Sequence, residues 1–237
     1  MKHPKVIALI GARAGSKRIP KKNTKLLGGR PLIYYTISIA KTLGVPCYLS
    51  SDSSEILSVG QELGVSPCLR SERTAQDDST DAEWIREFLE QYKTSRELPD
   101  AILFLRPTTP FRCLEKVKSA VKLFDSRNTS LRSVEKLSEA VEKTFKIRDN
   151  LLSPMHDRMT LEITNFPNDF FEASYRGNGY VDILKPEVVL ESKDIYGKKI
   201  QAFETPRTIE LDTIEEWMYA EYLIKNQRKV KIVPNYL

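Results

Sequence analysis

Histidine and cysteine are scarce. The 237-residue chain contains two histidines and three cysteines, and His3, His156, Cys47, Cys68 and Cys113 share no ligand-like spacing. A zinc centre or a disulfide framework is therefore not expected. Long apolar runs are missing as well: Val6-Ile-Ala-Leu-Ile10 is too short for a signal-peptide core or a membrane span, and basic residues follow it closely. The expectation is a soluble, cytoplasmic protein with no membrane partner. Internal repeats and low-complexity tracts are also lacking, and the length suits one main domain with a substantial core. The most telling absence is of acid. No Asp or Glu precedes Asp52, whereas ten of the 37 Lys and Arg do, leaving 27 bases against all 32 acids in the remainder. The formal net charge of +5 is thus concentrated in one segment. A local anion site has that distribution; a generally basic surface for nucleic acid does not.

What is present alternates. Val6 to Ile10 reads as a buried strand, and Pro31 to Ala40 as a helix with proline in its first turn and Gly44 just beyond its end. Pro46 to Ser50 reads as a second strand, followed by a helix capped by Ser53 or Ser54 and stopped at Gly64. Thr80-Asp-Ala-Glu83 is a capping-box pattern opening a helix through Tyr92. Ala101 to Leu105 predicts a central strand, and Leu114 to Phe124 a helix. Strands alternating with helices imply a parallel sheet covered on both faces. The alternation breaks between Ser138 and Asn178, a stretch rich in Phe, Asn, Asp and Pro that reads as an insertion. Regular elements return at Tyr180 to Leu184, Lys199 to Phe203 and Thr213 to Lys225.

The stretch from Ile10 to Asn23, IGARAGSKRIPKKN, places five positive charges and two glycines directly after the first strand. In open parallel sheets ligands lie beyond the carboxyl ends of the strands, where a glycine-containing loop aims backbone amides at phosphate. Arg13, Lys17, Arg18, Lys21 and Lys22 add charge. The spacing of Gly11 and Gly15 is neither a Walker A loop nor GxGxxG. The alternative is a solvated basic loop or a nucleic-acid patch. The loop Arg106-Pro-Thr-Thr-Pro-Phe-Arg112 follows a second central strand and should open on the same edge; alternatively it is a rigid turn with Thr109 near a cap. If Ile209 to Thr213 is extended, Glu210 and Asp212 share a face and suit magnesium beside a polyphosphate. Otherwise Asp212 or Thr213 merely caps the next helix. Ser51-Asp52 reads first as a helix cap and second as a polar site wall, Arg176-Gly-Asn178-Gly179 as a β-turn, and Phe170-Phe171 as interface or core.

In this order the motifs resemble those of the acylneuraminate cytidylyltransferases, the CMP-sialic acid synthetases that activate nine-carbon sugar acids with CTP. The family's opening is similar to Ala12 through Asn23, its LQPTSPLR loop to Leu105 through Arg112, its Asn-Gly element to Tyr175 through Gly179, and its DIDT-type metal motif to Glu210 through Thr213. The resemblance implies a Rossmann-like, mostly parallel sheet with helices on both faces, of the nucleotide-diphospho-sugar transferase type. It assigns 1–137 and 179–237 to the nucleotidyltransferase domain and 138–178 to an insertion used for dimerisation.

The implied CTP site comprises Ala12, Arg13, Gly15, Ser16, Lys17, Lys21 and Asn23, with Arg13, Lys17, Lys21 and Asp212 serving catalysis. Asp212 and Glu210 would hold Mg2+. Arg106, Thr108, Thr109, Tyr175, Asn178 and Gly179 would face the sugar acid. The implied partners are CTP, a sugar acid and a second copy of the chain, with no nucleic acid, and the implied role is in making cell-surface polysaccharide. The chain departs from the family pattern in having Gly11 for the usual Pro, Ala14 for Gly, Arg106 for Gln and Glu210 for Asp. Asn168, Asp169 and Glu172 stand where Arg-Gln and Pro are common. An arginine fork at 106 suits either a sugar carboxylate or a neighbouring Asp or Glu. Two other readings stay open: transfer to an eight-carbon sugar acid or sugar 1-phosphate, and a catalytically impaired nucleotide binder.

Overall fold

The side chains of the first strand sort by parity. Ile7 and Leu9 join one buried cluster, Ala8 and Ile10 another, as the period of two in a strand covered on both faces requires. The computed structural model describes residues 5–155 and 159–226, so His3 and His156 lie outside the described residues. In chain order the elements are β1 (Val6–Gly11), β2 (Leu26–Leu27), β3 (Arg30–Pro31), α1 (Leu32–Thr42), β4 (Cys47–Ser51), α2 (Ser54–Glu62), β5 (Ser66–Leu69), α3 (Asp81–Lys93), β6 (Ala101–Leu105), α4 (Leu114–Leu123) and β7 (Ser130–Lys136). They continue with β8 (Phe145–Arg148), β9 (Leu151–Pro154), β10 (Tyr175–Leu184), α5 (Pro186–Glu191), β11 (Ile200–Glu204) and α6 (Ile214–Lys225).

The main sheet has seven strands in the order β11-β7-β10-β6-β1-β4-β5. Only β10 runs antiparallel to its neighbours in it. One face is covered by side chains of α1, α2 and α4, such as Ile37, Ile56 and Val117. The other is covered by α3 and α5 through Trp84, Ile85, Phe88, Leu89 and Val189. The mostly parallel sheet with helices on both faces is the architecture expected from the alternation. Among the described residues no helix is long and apolar enough to cross a membrane.

The chain crosses the sheet in a way that sets the site. From β1 it moves to β4 and β5 on one side, then returns past β1 to β6 on the other. β1 therefore lies at a topological switch point, where the loops leaving neighbouring strands diverge and open a crevice.

Three expectations change. Arg176 to Gly179 is no turn; it belongs to β10, which starts at Tyr175 and is irregular between Gly177 and Asp182. Asn178 is buried there, with Nδ2 donating to Thr205 Oγ1 at 2.7 Å and Glu135 Oε2 at 3.3 Å, and Gly179 takes a left-handed φ of 61°. Gly and Asn here mark a bulge. Ser53, with its side chain accepting from the Ile56 amide, caps α2; Asp52 instead receives the Ala14 amide at 2.8 Å. Finally, β5 and β7 occupy stretches where no strand was expected.

Candidate functional site

A cleft of about 410 Å³ opens beyond the carboxyl ends of β1, β5 and β6. Gly11 and the following loop line one wall, Arg70 and residues 74–81 a second, Arg106 to Thr108 a third, and Asp212 closes it. The volume falls in the range of small-molecule sites.

The basic loop is anchored on the protein. The Ala12 amide donates to Ser50 O (2.9 Å), and Asn23 Nδ2 donates to Arg13 O (2.9 Å). Ile19 is fully buried in a cluster with Leu27, Leu32, Tyr35, Phe111, Leu211 and Trp217. This apolar pin gives the charged loop a fixed underside, while Lys17 and Lys21 on it stay largely exposed. Acids distant in sequence meet its cations. Arg13 Nη1 lies 2.9 Å from Asp77 Oδ1, and Lys17 also pairs with Asp77. Lys17's hydrogen bond, aided by Arg13, holds the Asp77 carboxyl below the usual range. Lys22 Nζ reaches Asp212 Oδ1 at 2.9 Å and Leu211 O at 2.9 Å.

Asp212 is placed by the start of α6. Thr213 caps that helix in a capping box, and Glu216 Oε2 accepts the amides of both Asp212 (2.7 Å) and Thr213 (2.8 Å). The predicted alternation holds on the approach: Leu211 is fully buried, its amide donating to Thr108 O at 2.8 Å, while Glu210 and Asp212 are not buried. Glu210 contacts Thr108 Oγ1 at 3.4 Å. Although the residue as a whole is exposed, its carboxyl is partly shielded from water beside Thr108 and is pushed up, first by that burial and then by the charge of Asp212. Neighbouring carboxylates of like charge, Glu210 beside Asp212, form a pair whose repulsion a divalent cation relieves. Among the described residues no group of three or more His, Cys, Asp or Glu gathers around such an ion. The donor set therefore fits a hard cation that takes its remaining ligands from substrate oxygens.

Arg106 is already engaged. Nη1 pairs with Asp182 Oδ2 at 2.6 Å and Nη2 with Asp81 Oδ2 at 2.9 Å, while its guanidinium lies 4.3 Å from the Phe104 ring centroid. Burial disfavours its charge, but Asp182 and Asp81 outweigh burial and raise its pKa. The fork thus meets neighbouring acids. Behind it, Arg112 is fully buried and donates to Tyr180 O (2.5 Å), Thr36 Oγ1 (3.0 Å), Arg106 O (2.6 Å) and Gly179 O (3.1 Å), which ties the loop to β10.

Of the expected site residues, Arg13, Gly15, Ser16, Lys17, Asn23, Arg106, Thr108 and Asp212 line the cleft together. Ala12 is buried at the root of the loop, and Thr109, Asn178 and Gly179 lie behind the wall, where Thr109 is fully buried. Tyr175 is exposed at the far end of β10, and Glu210 stands beside the cleft. Lys21 does not enter: its backbone is left-handed (φ 51°) and its ammonium pairs with Glu55 at 2.9 Å, leaving Lys22 as the inward lysine. The sequence reading missed Arg70, Asp77, Asp81 and Trp84. Asp81 and Trp84 sit one helical turn apart at the start of the capping-box helix, a signal that was available; Arg70 follows a strand that hydropathy hides.

A switch-point crevice lined by a cationic loop, on a mostly parallel α/β sheet, lies where open α/β folds take their ligands, and its charge suits an anionic one. The cytidylyltransferase family model matches residues 7–232, and the chain belongs to that family. It is 31% identical over 229 residues to the CMP-N,N'-diacetyllegionaminic acid synthase of Legionella pneumophila, covering 93% of this chain and 97% of that protein. It is 26% identical to the pseudaminic acid cytidylyltransferase of Campylobacter jejuni, covering 93% and 97%. The N-acylneuraminate cytidylyltransferase of Escherichia coli is 27% identical, and here the match takes in 98% of this chain but 55% of the longer relative. A solved CMP:2-keto-3-deoxy-manno-octonic acid synthetase complexed with CTP superposes with a TM-score of 0.72 at 16% identity, covering 94% of this chain and 99% of that one.

Proposed function

We propose that the chain transfers CMP from CTP to the anomeric hydroxyl of a nine-carbon 2-keto-3-deoxy sugar acid of the sialic, legionaminic or pseudaminic type. The hydroxyl oxygen attacks the α-phosphorus, the bond from that phosphorus to the bridging oxygen breaks, pyrophosphate leaves, and the hydroxyl proton passes to water. The names of the relatives support the substrate class. One observation carries the reading: Lys22 of the loop and Asp212 meet at 2.9 Å in the cleft, so cationic and acidic groups converge where a triphosphate would lie.

Such transfers depend on positioning and charge neutralisation. Arg13, Lys17 and Lys22 would bind the phosphates, with Asn23 bracing the loop through Arg13 O and Asp77 releasing its two cations as the anion enters. Thr108 and Arg106 border the acceptor end. Asp212 with Glu210 would hold Mg2+, which when bound offsets phosphate charge. The reading includes a cytoplasmic setting, no nucleic-acid or membrane partner, and a homodimer formed through the 138–178 segment.

The test is a pyrophosphate-release screen of the four nucleoside triphosphates against a panel of such acids, with and without magnesium. Release with CTP and a nine-carbon acid is expected. Release only with an eight-carbon acid or a sugar 1-phosphate would reassign the acceptor, and no release with any pair would leave a binder.

A further inference from the structure

Gly11 ends β1 without a left-handed backbone, so conformational freedom does not explain it. Space does. A Cβ built there would lie 2.6 Å from Cζ2 and 2.8 Å from Cη2 of Trp84, and 3.0 Å from Nη2 of Arg70. The indole cannot readily retreat, because Nε1 donates to Asp81 Oδ1 at 3.0 Å and the ring packs edge-on against Phe104 at 5.6 Å between centroids. Over its face, 4.3 Å from the centroid, lies the guanidinium of Arg70.

Arg70 is unusual within the cleft. The residue is 7% exposed, yet among the described residues no carboxylate lies within ion-pair distance, whereas Arg13, Lys17, Lys22 and Arg106 are all ion-paired. Among the described residues its guanidinium makes two hydrogen bonds, both long, from Nε to Ser50 Oγ (3.3 Å) and from Nη2 to Ser50 O (3.4 Å). Burial pulls its pKa down to about 10. The charges of Asp52, Asp81 and Glu87 act on it only from beyond contact. A buried cation with no carboxylate in contact is costly unless a ligand completes its shell, and the aromatic face beneath it supplies only part of what is missing.

We propose that Gly11 and Trp84 are a matched pair that positions Arg70 toward an oxygen acceptor of the bound nucleotide, Trp84 as the platform and Gly11 as the gap that admits it. The inference rests on the cleft being the CTP site. Gly11→Ala should drive the indole and guanidinium aside and raise the KM for CTP about tenfold, the worth of one charge-assisted hydrogen bond, with a smaller change in kcat. Trp84→Phe lacks the two crowded atoms but keeps an aromatic face, so its KM should rise only about threefold. The pair Gly11→Ala/Trp84→Phe should then return to the Trp84→Phe value, because the clash has been removed. Effects of the two substitutions that simply multiply, or a Gly11→Ala enzyme with unaltered KM, would overturn the pairing. Should Gly11→Ala fail to fold, Trp84→Leu against Trp84→Phe decides: a KM lost with the face and kept with the ring supports the platform, and equal values sink it. Wild-type protein that does not bind CTP in the same titration would instead refute the nucleotide reading.

Discussion

Lys21 and Lys22 are adjacent in a run of bases, and no pattern of charge distinguishes them. The left-handed backbone at Lys21 sends its side chain to Glu55, where it is 74% exposed, while the Lys22 side chain is 13% exposed against Asp212. Lys22→Ala should therefore lower turnover by roughly 10²-fold, as loss of a preorganised charge does, and Lys21→Ala by only a few-fold, as for an exposed ion pair. Steady-state rates at saturating CTP separate the two; equal losses would mean that the loop rearranges on binding. Arg106 makes a different case. Asp182 is buried, and Arg106 is its charge partner, with Tyr196 Oη (2.9 Å) and the Ser133 amide (3.3 Å) completing its contacts. Arg106→Gln should cost about 3 kcal/mol of stability by stranding that carboxylate, and adding Asp182→Asn should restore most of it. Urea unfolding of the four proteins measures the coupling. Full additivity would show that the two residues act independently.

The elements that could be read from sequence were those whose local chemistry and period agree. Thr80 and Glu83 form the capping box of α3, Gly44 and Gly64 follow their helices with positive φ, and β1 and β6 are continuous apolar runs. The strand β7 escaped because its buried positions include Ser130, Ser133 and Glu135, polar side chains made tolerable by partners such as the Val181 amide and Asn178. The short β5 carries a proline at the edge of the sheet, and β8 and β9 are joined by Asp149-Asn150, both left-handed, the turn that two such residues allow. Arg112 in a loop reads as solvated, yet it is the inward tie of that loop. Of the site, the cationic loop and the acidic pair were legible; the acids that meet the cations were not, because Glu55 and Asp77 come from distant loops and helices. Glu87 on α3 organises one such loop, accepting from the Ser71 amide (2.9 Å), Ser71 Oγ (2.8 Å) and Thr74 Oγ1 (2.5 Å). Burial raises its pKa, but these donors prevail and the net shift is downward. A depressed carboxyl stabilises the fold fully above its ordinary value of about 4.5, and that contribution disappears as pH falls through the lower folded value. Glu87→Gln should thus lose about 1–2 kcal/mol at pH 7, and thermal melts of variant and wild type should converge in acid below that window. A gap independent of pH would assign the loss to packing.

At the scale of the whole molecule, the distribution of exposed apolar surface is uneven. Among the described residues, ten of the eighteen exposed large apolar side chains lie between Val141 and Tyr175. This excursion leaves the sheet after β7, builds the β8–β9 hairpin and returns at β10. Phe166, Phe170 and Phe171 cluster on it, with centroids 4.8 Å and 5.2 Å apart, and Phe170 is 65% exposed. Apolar groups concentrated in this way call for a covering surface, and a second copy of the chain can present the same arm in return. If that is their role, the wild-type chain sediments as a dimer at micromolar concentration. Full burial of such a ring is worth about 1.5–3 kcal/mol, so replacing both Phe166 and Phe170 with Asp should weaken the dimer by more than about 100-fold and leave a monomer. The cleft is lined from one chain, so that monomer should still bind CTP by calorimetry. A shared acceptor site would make it lose turnover with the sugar acid. A wild-type chain that sediments as a monomer, or a variant that remains dimeric, would remove the arm from the interface and return those aromatic side chains to a different partner.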